Sequence, residues 1–124
     1  VTDDLHLVLD DTAVLAAGSG NVLASRLIHR AHAEPGWFLY VSACTLVEAD
    51  RARRGTAEHI ATLPGVHVLD LDLPSALAIA HEDTWGIAHT RHEARPSADR
   101  PGGAVIVTTA PERWKGHRFI DLTP

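Results

Sequence analysis

Apolar residues come along this chain in short runs, and the runs alternate between two spacings. His6–Leu9 is a brief apolar run closed by Asp10 and Asp11, which predicts a buried strand. Asp11-Thr12 then starts a helix through Ala17, stopped by Gly18-Ser19-Gly20. Over Asn21–Ala33 the period becomes helical: Val22, Leu23, Leu27 and Ile28 share a face, with Arg26 and Arg30 on another. Pro35-Gly36 turns the chain into a second strand, Phe38–Val41. Ser42 can cap the helix that follows to about Arg54, and Gly55 breaks it. A short helix over Thr56–Leu63, a Pro64-Gly65 turn and a third strand, Val66–Leu69, come next. Pro74 suits a first helical turn. From there Leu77, Ala80, Thr84, Ile87, Ala88 and Arg91 continue a helix or helix pair towards Arg95, with Gly86 as the expected break. Pro96–Gly103 is a polar loop and the best candidate for disorder. Ala104–Val107 is a fourth strand, Pro111–Lys115 one helical turn, and Phe119–Leu122 a fifth strand.

Strands that are short, wholly apolar and separated by helices predict an α/β domain with a parallel sheet covered on both faces. Ligands of such sheets bind beyond the carboxyl ends of the strands. That singles out Asp10, Asp11, Asp70, Asp72, Thr108 and Thr109.

Composition narrows the classes. A length of 124 residues fits one domain spanning 1–124. Aromatics are only 5%, so the core must be aliphatic. A formal net charge of −5 is no general nucleic-acid footprint. The charges are uneven, however: Arg91, Arg95, Arg100, Arg113, Lys115 and Arg118 crowd the last third. They are either solvated surface or a basic rim on an acidic body. Cys44 is alone in an apolar stretch and reads as a small buried residue. Neither a membrane-length apolar run nor a leader pattern is seen, and the expected address is the cytoplasm.

Several familiar motifs start and fail. His81-Glu82-Asp83-Thr84-Trp85 has Trp where a metalloprotease helix needs its second His. His89 and Glu93 share a helical face near His92, but a zinc site wants four ordered ligands. Leu7–Asp11, Val68–Pro74 and Val105–Ala110 are similar to segments of phosphate-accepting receiver domains. That reading needs a helix, a Lys-bearing strand and a final helix after the Thr, and only Thr109–Pro124 remains.

The order of elements and three segments together resemble the PIN domain, the fold of toxin-type ribonucleases. LVLDDTAVLAA at Leu7–Ala17 is similar to its opening strand, VSACTLVEADR at Val41–Arg51 to its second acidic segment, and AVIVTTAPERW at Ala104–Trp114 to its fourth strand and following loop. The resemblance implies a three-layer α/β/α domain with a five-stranded parallel sheet in the order 3-2-1-4-5. It implies a Mg²⁺- or Mn²⁺-dependent endoribonuclease acting on RNA, restrained by a small antitoxin protein and often a homodimer. Asp10 would bind the metal, and Glu48 would bind it or orient the water. Hard divalent ions favour such oxygen ligands and lower the pKa of a bound water.

Two positions depart from that pattern. Ile87 stands where the family usually has an Asp, with Thr84 one turn before it, and Ala110 where it tends to have an acid or Asn. Asp83, one helical turn before Ile87, and Glu112, two residues past Ala110, are the candidate replacements. Both also read as solvated acids. Arg91, Arg95, Arg113 and Lys115 are the candidate phosphate-backbone contacts. His89 either binds phosphate or metal or is a satisfied helix histidine. Activity is expected to be weakened, and the alternative is a catalytically silent module that binds RNA or a protein partner.

Overall fold

The computed structural model describes residues 4–124. Its strands are β1 (Leu5–Leu9), β2 (Trp37–Ser42), β3 (Val66–Leu69), β4 (Val105–Thr108) and β5 (Phe119–Asp121). Its helices are α1 (Asp11–Gly18), α2 (Val22–Ala33), α3 (Ala43–Ala52), α4 (Thr56–Ala61), α5 (Leu73–Ile79) and α6 (Trp85–Ala94), and a 3₁₀ turn covers Pro111–Trp114. All pairings are parallel, in the order β3-β2-β1-β4-β5. The expected α/β sheet and its strand order are therefore both present.

Side chains alternate across a strand, so β1 feeds two cores. Leu7 and Leu9 face one side and pack with Leu39, Val41 and Val107 against Ala13, Val14, Ala24, Ala49 and Ile60 of α1–α4. Val8 faces the other side, with Ile106, Ala104 and Trp114, and Ile87 and Ala94 of α6 close over them. A smaller cluster, Cys44, Ile79 and Ala88, joins α3 to α5 and α6.

Two sequence expectations change. The helix break falls at residues 80–84, and Gly86 lies inside α6. That glycine lies against α3: a Cβ there would push the end of the Glu48 side chain aside. The loop Pro96–Gly103, the best candidate for disorder, is built around a buried side chain. Arg100 is 8% exposed, 3.3 Å from Glu93 Oε1 and stacked 4.9 Å over the Tyr40 ring. Its backbone carbonyl accepts from the Ser97 and Gly103 amides at 2.9 and 2.8 Å. The loop is polar in sequence because its organising residue is an arginine.

Candidate functional site

Asp10 ends β1 at the centre of the sheet and caps α1 in an extended conformation. Its Oδ1 accepts from the Thr12 hydroxyl at 2.7 Å and the Ala13 amide at 2.9 Å. Its Oδ2 accepts from the Thr108 hydroxyl at 2.6 Å and the Trp114 indole N–H at 2.9 Å. The hydroxyl protons are fixed by what the same oxygens accept: Thr12 takes the Thr109 amide and Thr108 the Ala110 amide, both at 2.9 Å. A carboxylate has about four lone-pair positions, and here each oxygen has two donors. Arg113 adds a guanidinium 3.6 Å from Oδ2 and 2.6 Å from Asp11 Oδ1. The Asp10 side chain is 1% exposed.

Mg²⁺ or Mn²⁺ needs free carboxylate oxygens in octahedral geometry. The residues around Asp10 do not fit such an ion, because protein donors already take its acceptor positions. Among the described residues no group of three or more His, Cys, Asp or Glu side chains is arranged to hold a metal. Ile87 packs on the Val8–Ile106–Trp114 cluster, so an acid there would enter the core.

Glu48 and Asp83 line an open cleft of about 460 Å³ between α3, the segment after β3 and the start of α6. Its apolar walls are Val47, Leu71 and Trp85, with Arg51 at the edge and Cys44 at the base. Asp10 is not among the lining residues. The replacement proposed for Ile87 is thus beside Glu48, whereas Glu112 is exposed on the 3₁₀ turn. Burial, helped by the Glu48 charge, pushes the Cys44 thiol up, so it is held as the unreactive thiol.

The four candidate phosphate contacts separate into two pairs. Arg91 pairs with Glu82 at 3.5 Å, and Arg95 donates to His92 Nδ1 at 2.7 Å. Burial, then the Arg95 charge, pushes His92 below its usual range, so the ring stays a neutral acceptor. The adjoining Ala94 carbonyl accepts from Ala104 just before β4, whereas Arg113 and Lys115 follow the carboxyl end of that strand. Arg113 is committed to Asp10 and Asp11, and Lys115 is exposed.

His89 is fully buried. Its Nδ1 accepts from the Cys44 amide at 3.4 Å, which puts the proton on Nε2, 3.3 Å from Glu93 Oε2. It closes an open amide of the first turn of α3 from a neighbouring helix, but its buried Nε2 makes no hydrogen bond, so the ring is satisfied at one nitrogen only. Beside it Thr45 bonds Ser42 at 2.7 Å and Thr90 at 2.8 Å, tying α3 to α6. The residue that sequence reading missed at Asp10 is Trp114. An apolar reading of its ring hides its one donor, and only the quoted ERW segment placed it near the site. No protein-family model and no curated protein matches this chain.

Proposed function

We propose that this chain is a PIN-like domain of the toxin-ribonuclease type that works as a protein-binding module, with its acidic centre turned to a structural role. The saturation of Asp10 carries this reading. Hydrolysis by a divalent ion requires that the ion displace donors from the central carboxylate. Here those donors are a helix amide, two threonines and a buried indole, and Arg113 contributes the positive charge that an ion would otherwise supply. Displacing them would strand buried N–H and O–H groups, each at a cost of about 1–3 kcal/mol.

The surface beside Glu48 supports the binding half of the proposal. Trp85, Val47 and Leu71 are 58%, 57% and 45% exposed, and Leu73 and Leu77 of α5 are more exposed still. Large apolar side chains gathered at one place mark an interaction surface. With Glu48 and Asp83 among them, the matching partner is an apolar segment carrying a basic side chain, the chemistry of a small antitoxin. A second copy of the chain is the competing occupant.

A residual nuclease is the second reading, favoured by Glu48 and Asp83 sharing that cleft. Single-stranded RNA incubated with the pure protein in Mg²⁺ and in Mn²⁺ separates the two. The proposal expects no cleavage above a matched Glu48→Gln/Asp83→Asn control. Metal-dependent cleavage that disappears in that control would replace it with the nuclease reading.

A further inference from the structure

The opposite edge of the sheet has its own cleft, unused by the site described above. It holds about 640 Å³ at the amino ends of β1, β2 and β4. One wall is a set of stacked rings. His6 lies 5.1 Å from Phe38 and 5.8 Å from Tyr40, each with 16° between ring planes. The His6 Nδ1 and the Tyr40 hydroxyl, 2.9 Å apart, fix the imidazole in that plane. These rings are only half-buried. Around them stand two carboxylates, Asp4 and Asp99, and the Arg118 guanidinium.

Two of these elements are tied down. Arg118 donates to the Gly102 carbonyl at 2.7 Å, which anchors it at the mouth. Asp99 and Gly102 belong to the loop that the buried Arg100 organises. The cleft therefore combines an aromatic stacking wall, strong acceptors and a planar donor on ordered backbone.

We propose that this cleft binds a guanine base. Stacking on aromatic or imidazole rings accepts any base and is sequence-tolerant. The hydrogen-bonding edge makes the choice. Guanine carries adjacent N1–H and N2–H donors, which suit a carboxylate, and the O6 and N7 acceptors, which suit a guanidinium. Asp4 or Asp99 with Arg118 supplies that complement. Uracil lacks the adjacent donor pair, and adenine lacks the O6 acceptor. The base can come from a free guanine nucleotide or from an unpaired guanosine in RNA. The proposal is independent of what happens at Asp10 and Glu48.

Gly102 allows a clean test. Its φ is not positive, and a Cβ there meets no atom within 4 Å, so Gly102→Leu fills open space without straining the backbone. Calorimetric titration of the full chain with guanosine, adenosine and uridine monophosphates, and with short single-stranded RNAs with and without one guanosine, reads the outcome. The expected result is binding of the guanosine ligand at least tenfold tighter than its adenosine and uridine counterparts. Gly102→Leu and Arg118→Gln should each weaken it at least tenfold, with unchanged melting temperatures. If only the monophosphate binds, the source is the free nucleotide. If only the guanosine-bearing RNA binds, it is RNA. Absence of guanosine-selective binding in both arms, or full affinity in Gly102→Leu, would overturn the proposal.

Discussion

Two places where this chain keeps acids are built in opposite ways. At Asp10 the carboxylate is closed off, and its donors come from α1, the last residue of β4 and the 3₁₀ turn. At Glu48 and Asp83 the carboxylates open onto solvent between apolar walls, with Arg51 at the edge. The first arrangement spends a charge on holding three segments together. The second leaves its charges available to a partner. An acidic residue at a position that resembles a known motif is thus no sign of chemistry until its lone pairs have been followed to their donors.

Substitution at Asp10 should break the comparison hardest. Asp10→Ala strands the Thr12, Thr108 and Trp114 donors and leaves Arg113 with Asp11 alone. Urea unfolding should show a loss of roughly 3–5 kcal/mol. Trp114→Phe keeps most of the buried ring and removes one donor to a charged acceptor. It should cost about 1.5–3 kcal/mol in the same measurement, beyond a small packing loss. Glu48→Gln and Asp83→Asn, by contrast, should each stay within about 0.5 kcal/mol of the parent. A Glu48→Gln loss as large as that of Asp10→Ala would erase the distinction between the two places.

The smallest effect concerns pH at the far end of α6. His92 is held below its ordinary value first by burial and then by Arg95 and His89, while Glu93 and Asp72 oppose that shift. The unfolded chain therefore takes up the proton first as pH falls, so stability should decline once pH drops below about 6.5, the ordinary histidine value. Protonation also removes the acceptor that Arg95 uses. His92→Gln should flatten that part of the pH–stability curve. A curve with the parent's slope would assign the decline to another group.

The fold was readable because its signals are local. Aliphatic runs such as Leu7–Leu9 and Ala104–Val107, each bounded by polar residues or glycine, mark buried parallel strands without knowledge of their partners. The site was readable only in part. Asp10 stands out at the end of such a run, but what surrounds it comes from about a hundred residues away, where Trp114 looks like any core aromatic. Gly86 reads as a break for the same reason: what it lies against is Glu48 on another helix. Arg100 looked like surface because its burial depends on Glu93 and Tyr40. Long-range pairing of polar groups leaves no period in the sequence, and that is where reading it stopped.

The central claim is that protein donors occupy the Asp10 carboxylate and leave no place for a divalent ion. Mn²⁺ titration followed by electron paramagnetic resonance, run side by side on the parent and Asp10→Asn, tests this most directly. The account predicts the same weak binding in both, since any surface ion would sit at other acids such as Glu48 and Asp83. Tight binding in the parent that Asp10→Asn abolishes would contradict it, and would show that the threonine, indole and Arg113 contacts yield to the metal.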